Sequence, residues 1–452
     1  MPTTTAPRIA SAVAVGGVVV VTLYGGFVSW AAGWASYDVW GALVVVPLLL
    51  LISAPMLARA GRREADPRFL TLLVLAFGLK ALATVGRYLM AFALYDGSAD
   101  AAGYDANGAR LAESYREGIF DAEIGRDFIG TGFIRVLTGV LYAITGPSIF
   151  VAYAVFSWLG FWGLYFLFRA FRVAMPDGDA RRYALLVLFL PSMLFWPSGL
   201  GKEAWMTFGI GLAAYGSALL LSGHRHWVAP LLLGLVATGV VRPHVTAALF
   251  AAVAAAYLLG RQQRPPTELT PLARAVGVSL IALGGLISIT QAAAFLNVDD
   301  VSVSNIDAAI DETAQQTDTG GSAFDADGVN SPMDFPVAAA SVLFRPFVFE
   351  VDNAQMLLAA AEGILLMVLV ALSLPRMRTL AGGLRRQPYL LMCLVYAGLF
   401  IYAFSNFSNL GILTRERVQV LPFVLVFLAL PRTARSIRPP KRITTTQEGV
   451  PV

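Results

Sequence analysis

Long apolar segments separated by shorter polar ones run through most of the chain. Many of them hold about 20 residues, the length an α-helix needs to cross a bilayer, whereas a large soluble core would scatter its apolar residues at helical or strand period. The pattern predicts an all-α fold, a polytopic transmembrane helical bundle of about 12 spans. The candidate spans lie near residues 9–30, 39–58, 70–93, 149–169, 183–197, 204–222, 228–241, 244–260, 274–295, 354–374, 388–404 and 416–431.

We interpret residues 1–452 as a single transmembrane domain. The first apolar segment, near Ala10–Trp30, is too long for a signal-peptide core and lacks a clear cleavage site, so it is expected to stay as a helix. In chain order, the parts are N-terminal spans (9–93), an outer loop with amphipathic helices (94–148), central spans (149–296), an outer acidic loop (297–353), C-terminal spans (354–431) and a cytoplasmic tail (432–452).

Composition agrees with a membrane location. Hydrophobic residues make up 57% of the chain and charged residues 14%, whereas a soluble domain carries about 25% charged residues. The net charge of +4 does not indicate nucleic-acid binding, because the basic residues lie in short loops between apolar segments and are expected to set the topology. The single cysteine, Cys393, excludes an internal disulfide and a multi-cysteine metal site.

Arginine clusters mark one side of the predicted bundle. If both termini are inside, the clusters that follow the second, fourth, eighth and tenth spans all face the cytoplasm, as the positive-inside rule requires. The two long loops on the other side are rich in Asp and Glu, and the second of them, residues 297–335, contains no Lys or Arg. We therefore expect a multi-pass protein of the plasma membrane with both termini cytoplasmic.

The first outer loop contains two patterned segments. Tyr104, Leu111, Tyr115 and Ile119 recur at helical spacing between charged residues, which predicts an amphipathic helix lying on the outer membrane surface. The apolar segment Phe128–Ile144 is broken by glycines, and it can be re-entrant, interfacial or a true span that would change the count.

Four breaks between spans each deliver cations to the outer side. The Pro- and Gly-rich break at 191–203 ends in Lys202 and Glu203, and a lysine at a helix N-terminus is suited to bind an anion. Lys80 and Arg87, in the third span, need partners inside the protein. The other breaks carry Arg242 with His244, Arg345 with Glu350, and Arg415 with Arg417.

This basic cluster beside an acidic loop fits a reaction on a lipid-linked phosphate or diphosphate. The cations would hold the phosphate and stabilise the charge of the leaving group, and a carboxylate would take the proton from an attacking hydroxyl. Asp100 lies between the third span and the amphipathic helix and is the first candidate; Asp105 is the second. Trp196 and the aromatic residues around Arg345 could stack on a sugar or an isoprenoid.

Three elements together resemble the GT-C superfamily, multi-span glycosyltransferases that use polyprenyl-phosphate sugars. They are Asp100-x3-Tyr104, the Pro-x4-Trp-Pro-Ser-x3-Lys-Glu element at 191–203, and the late Arg-x-Arg before a Pro-containing span. The resemblance covers about residues 70–430 and extends to the related polysaccharide polymerases. It implies that Asp100 is the first-loop acid, acting as base or metal ligand. The usual paired acid is not adjacent, so Asp96 or Asp105 would have to serve, and the acidic loop follows the third span instead of the first.

The sequence is therefore compatible with three functions. The first is transfer of a sugar from a polyprenyl-phosphate donor to a glycan or lipid acceptor of the cell envelope, with no certain cofactor and a divalent metal left open. The second is polymerisation of lipid-diphosphate-linked oligosaccharides. The third is transport or flipping of a lipid-linked sugar, which is disfavoured because the sequence shows no internal repeat and its helix breaks lie at outer span ends.

Overall fold

The computed structural model describes residues 36–64, 66–97, 100–120, 128–260, 331–384 and 386–432, with isolated positions between 22 and 33 and at 285, 324 and 329. Every regular element within these residues is helical. The helices are α1 (Tyr37–Arg62), α2 (Phe69–Leu89, continued by a π-helical turn Met90–Leu94), α3 (Asp100–Arg116), α4 (Phe133–Thr145, preceded by the turn Phe128–Gly132, whose backbone is kinked at Ile129 and Gly130), α5 (Ile149–Ala174), α6 (Ala180–Phe189), α7 (Pro191–Phe195), α8 (Lys202–Leu221), α9 (Val228–Gly239), α10 (Pro243–Leu259), α11 (Phe335–Phe344), α12 (Ala354–Met377), α13 (Leu380–Leu384), α14 (Pro388–Phe404), α15 (Leu410–Glu416) and α16 (Leu421–Leu428).

Six of these helical segments are long and apolar enough to cross a membrane. The all-helical class is thereby confirmed for the described residues, and a multi-pass membrane protein is indicated. The count of about 12 spans is not confirmed. Predicted spans 9–30 and 274–295 fall almost entirely on residues that the structure does not describe. Predicted span 183–197 is divided into two helices, α6 and α7. The six segments are α1, α2 with its π-helical turn, Phe128–Thr145, α5, α8 and α12.

Five of the six segments run between two ends of the bundle. The site end is the end where α1, α5, α8 and α12 begin and α2 finishes. Tyr153 lies near this end of α5, and Arg172 lies near the other. The 19 residue steps from Tyr153 to Arg172 correspond to roughly 28 Å of helix, close to the hydrocarbon thickness of a bilayer. The distance supports helices that cross the membrane once each.

The sixth segment, Phe128–Thr145, lies across the site end. At its start, the Gly130 amide donates a hydrogen bond to the Val240 carbonyl oxygen (2.9 Å), just before α10 begins. At its finish, the Thr145 carbonyl oxygen accepts a hydrogen bond from the Tyr37 hydroxyl (2.7 Å) at the start of α1. Because both ends contact the same end of the bundle, the contacts favour the interfacial or re-entrant alternative over a true span.

The predicted amphipathic helix is present as α3, but its apolar face has a protein partner. Leu111 and Tyr115 are buried, and both pack over Gly139 of α4, where an added Cβ would lie 2.8 Å from Leu111 and 3.1 Å from Tyr115. Ile119 lies beyond the end of the helix and is 49% exposed. The stripe therefore pairs α3 with α4 and does not face the membrane surface, which corrects the prediction from the sequence.

Arginines collect at the opposite end of the bundle. Arg169 and Arg172 both reach Glu64, at 3.2 and 2.8 Å, and Arg376 reaches Asp179 at 2.9 Å. This placement agrees with the charge asymmetry in the sequence. The assignment of this end to the cytoplasm stays a prediction.

Glycines bring α5 and α8 into direct backbone contact. A Cβ added at Gly163 would lie 2.4 Å from the Thr207 carbonyl oxygen, and one at Gly211 would lie 2.3 Å from the Gly163 carbonyl oxygen. Small residues allow this close approach between membrane helices. The crossing fixes α8, whose first residues form part of the site described below.

Candidate functional site

A cavity of about 330 Å³ opens at the site end. Its wall combines the end of α2, the start of α3, the start of α5, the turn before α8, the start of α12 and the helix α15. The predicted residues that line it are Asp100, Tyr104, Trp196, Glu203 and Arg415. Segments more than 300 residues apart in the sequence therefore meet in one place, as the ion pair between Asp100 and Arg415 shows.

The turn before α8 follows from its prolines and glycines. Leu190 has extended backbone angles (φ −61°, ψ 131°), so α6 ends there, and Pro191 opens α7 at the first helical position. Proline suits that position because its missing N–H needs no partner. Gly201 has extended backbone angles and caps the start of α8. The predicted helix break is thus present, and it carries Trp196 and Glu203 to the cavity.

Buried charges of alternating sign surround Glu203. Its Oε1 lies 3.2 Å from Arg415 Nε and 3.5 Å from Arg242 Nη2. Arg242 also donates a hydrogen bond to Glu416, and Glu416 accepts another from the Gln419 side chain. Glu203, Glu416 and Arg242 are all less than 9% exposed. These charges are therefore stabilised by their oppositely charged neighbours and not by water.

Two cations beside this network, Arg87 and Lys202, form no ion pair at contact distance with a carboxylate of the described residues, although Glu203 and Asp100 lie near enough to attract both. The Arg87 guanidinium lies over the rings of Trp196 (5.0 Å) and Phe195 (5.3 Å), in cation–π contacts. Lys202 is partly buried beside Arg242, and the Glu203 and Asp100 carboxylates attract it from beyond ion-pair distance. Among the described residues of this network, four cations (Arg87, Lys202, Arg242 and Arg415) meet three carboxylates (Asp100, Glu203 and Glu416), so the network carries one more positive charge than negative.

Asp100 and Asp105 point in different directions. Asp100 lines the cavity; its Oδ2 lies 3.4 Å from Arg415 Nη1, and its side chain is 68% exposed. Asp105 accepts a hydrogen bond from the Tyr142 hydroxyl at the α3–α4 contact, and burial raises its pKa. Five residues on an α-helix correspond to about 140° of rotation, so the two carboxylates cannot share a face.

Tyr104 shares the cavity face with Asp100, because four residues return to the same side of a helix. Burial raises the pKa of Tyr104, and the nearby Asp100 carboxylate adds to the shift. The hydroxyl therefore stays protonated at neutral pH. It is suited to donate a hydrogen bond to a ligand.

The remaining predicted residues, Lys202 and Arg242 among them, do not line the cavity. The Arg417 side chain is fully buried and turns toward α12, with Glu362 at 3.8 Å and the Arg345 carbonyl oxygen at 2.7 Å. Arg345 pairs with Glu350 at 3.0 Å and lies over the Phe324 ring. The His244 ring lies beside Phe404, with centroids 6.3 Å apart. Of the predicted Lys202–Arg242–Arg417 cluster, the structure brings the first two together, and Arg415 takes the place of Arg417.

Two carboxylates in the interior were not among the predicted site residues. Glu416 stands between two arginines that were predicted, and Glu362 lies inside the apolar helix α12. A charge at membrane depth is costly and needs a partner inside the protein. This reasoning, which applies to Lys80 and Arg87, applies equally to Glu362. Its position in an apolar segment was the available signal.

No metal-binding constellation of three or more His, Cys, Asp or Glu side chains occurs among the described residues. Asp100 faces Arg415, and Asp105 of the same helix turns to Tyr142. The aspartates of the second outer loop between 297 and 327 lie outside the described residues.

The comparisons with known proteins give no relatives. The chain matches no protein-family model, no curated protein sequence and no solved structure.

Proposed function

We propose that the protein is a membrane glycosyltransferase of the GT-C type, acting at the outer face of the plasma membrane on a polyprenyl-phosphate-linked sugar. The acceptor is a glycan or lipid of the cell envelope. The observation that carries this proposal is the cavity at the site end. Its wall joins the Arg87 cation, a partly exposed carboxylate and aromatic rings at the boundary of an apolar bundle.

The excess of positive charge supports an anionic ligand. Arg242 and Arg415 are balanced by Glu203 and Glu416, and Asp100 offsets part of the charge of Arg87 and Lys202, so a net positive charge remains to attract a phosphate. Arginine suits this task because its planar guanidinium binds phosphate oxygens in pairs. Lys202 opens α8, so the partial positive charge of the helix N-terminus adds to its own.

The proposed reaction uses Asp100 as the general base. The acceptor oxygen forms a bond to the anomeric carbon of the donor sugar while the bond from that carbon to the phosphate oxygen breaks. The hydroxyl proton passes to the Asp100 carboxylate, and polyprenyl phosphate leaves with the electron pair. Arg87 and Lys202 stabilise the phosphate charge that develops, and Trp196 and Tyr104 contact the sugar.

The test compares two aspartates on one helix. A strain that lacks the gene is complemented with wild type, Asp100→Asn or Asp105→Asn, and its lipid-linked sugars and envelope glycans are analysed by mass spectrometry. Asn preserves size and helix capping but cannot accept the proton. We expect Asp100→Asn to accumulate the polyprenyl-phosphate sugar like the empty strain, at wild-type protein levels, and Asp105→Asn to restore the glycan.

Other outcomes separate the alternatives. Accumulation of lipid-diphosphate repeat units would show a polymerase in place of a transferase. Full complementation by Asp100→Asn with failure of Asp105→Asn would assign the base to the other carboxylate. Full complementation by both variants would remove the acid–base role from this loop.

A further inference from the structure

Two charged side chains hold the short helix α7 from two neighbouring helices. Lys80, near the middle of α2 and 2% exposed, donates hydrogen bonds to the carbonyl oxygens of Leu194 (3.1 Å) and Met193 (3.4 Å). Glu362 of α12, 6% exposed, accepts hydrogen bonds from the Ser192 amide (3.1 Å) and hydroxyl (2.6 Å). Neither Lys80 nor Glu362 lines the cavity, so both are costly charges that the proposed reaction does not use.

The backbone break before α7 explains why this helix needs external partners. Leu190 is extended, so α7 does not continue α6, and its first amide groups have no acceptor within the helix. The Glu362 carboxylate supplies that acceptor and also interacts favourably with the positive end of the helix. A helix of five residues has little stability of its own, so its position depends on these contacts.

The position of α7 fixes one wall of the cavity. Trp196 follows α7 directly and contacts Arg87, and the turn then leads through Gly201 to Glu203. A displacement of α7 would therefore move the Trp196 ring, which contacts Arg87, and would also shift the start of α8.

Glu362 also contacts the opposite wall. Its Oε2 lies 3.8 Å from Nη2 of the fully buried Arg417, which follows α15 directly. Two residues earlier, Arg415 lines the cavity and pairs with Asp100. One carboxylate therefore connects the Trp196 wall, through Ser192, with the Arg415 wall, through Arg417.

We propose that Glu362, with Lys80, is a positioning residue that sets the separation of the two cavity walls. The geometry is independent of the ligand, and only the consequence for sugar transfer rests on the proposed function. The alternative is that the Glu362–Arg417 pair serves stability alone. Replacing a buried ion pair by apolar residues of similar size is often neutral or stabilising, so an apolar double variant separates position from stability.

The experiment uses the full-length protein with Glu362→Met and Arg417→Met combined, which leaves no unpaired charge. The matched control combines Glu350→Met and Arg345→Met, an ion pair at 3.0 Å that does not line the cavity. Each background receives one reporter cysteine at Ile412, on the α15 wall, or at Met90, on the α2 wall. The rate of labelling by a water-soluble methanethiosulfonate is measured in purified protein, since the native Cys393 is buried.

We expect the Glu362 and Arg417 double variant to change the labelling rate at Ile412→Cys several-fold, with the rate at Met90→Cys unchanged. The control variant should change neither rate. Sugar transfer should fall about a hundredfold in kcat, the cost of misplacing a reacting group by about 1 Å. If the double variant does not fold, Ser192→Ala, which removes only one hydrogen bond, should show a smaller change at Ile412→Cys in the same direction.

Unchanged labelling in a folded variant would overturn the positioning role, whatever happens to transfer. Changed labelling in a protein whose wild type transfers no sugar would refute the proposed function and leave the positioning role standing. Changed labelling with unchanged transfer would show that the walls move without consequence and would overturn the role in the reaction.

Discussion

The Glu203 carboxylate offers the sharpest test of the buried charge network. Glu203→Gln keeps the size of the side chain and removes its charge between Arg242 and Arg415, at 3.5 and 3.2 Å. At an effective dielectric constant of about 20, each contact corresponds to roughly 5 kcal/mol of Coulomb energy before desolvation is counted. Removing one partner of a buried pair costs about 3–5 kcal/mol, because the other charge stays buried. We expect the lower end of this range, since the Arg415 side chain is 29% exposed.

The free energy of unfolding is measured by SDS titration in mixed micelles, followed by tryptophan fluorescence. Glu350→Gln is the matched control, because Glu350 has a single arginine partner and both side chains are about 15% exposed. We expect it to cost about 1 kcal/mol. Adding Arg415→Gln to Glu203→Gln should recover much of the loss, since the surplus positive charge is then removed.

A loss for Glu203→Gln no larger than that for Glu350→Gln would refute the network as a set of mutually dependent buried charges. Failure of Arg415→Gln to recover stability would point to a defect in packing at the start of α8.

Three further predictions test the fold. Gly163→Leu should prevent stable packing of α5 on α8, because a Cβ at residue 163 would lie 2.4 Å from a backbone oxygen. Gly398→Leu should be tolerated, because nothing lies within 4 Å of a Cβ at residue 398. Thermal unfolding in detergent compares the two variants. A cysteine at Glu117, beside the site end, should react with an impermeant maleimide in intact cells, and one at Gly382 should react only after permeabilisation. Burial raises the pKa of Asp105, so ionisation of this carboxyl opposes folding. The unfolding temperature of the wild type, relative to that of Asp105→Asn, should therefore fall as the pH rises above the usual carboxyl range. Equal pH dependence of the two proteins would contradict the buried position of Asp105.

The helix class and the main break could be predicted because both depend on local sequence. Apolar segment length predicts α-helices, and Pro191 with the following glycines predicts the interruption that presents Trp196 and Glu203 to the cavity. Each helix break is expected to deliver a cation to the same side, so the convergence of Lys202 and Arg242 on one end could also be predicted from the sequence.

The orientation of side chains and segments could not be read in the same way. Arg415 and Arg417 are two residues apart, which is about 200° on an α-helix, so only one of them can face a given cavity, and tertiary contacts select Arg415. Hydropathy gives the length of Phe128–Thr145 but not its direction. Distant hydrogen bonds from Tyr37 and to Val240 determine that it lies across the end of the bundle.

The charge in the middle of α2 has a consequence for how the protein is made. Lys80 finds its acceptors 113 and 114 residues later in the chain, a delay of roughly 6–23 s at about 5–20 residues per second. During that interval α2 carries an unpaired cation whose insertion costs about 2.5–3.5 kcal/mol at the centre of a helix. We expect α2 to stay beside the insertion machinery until α7 has been synthesised. A nascent chain that stops before residue 191 should therefore expose α2 to membrane quality control and be degraded.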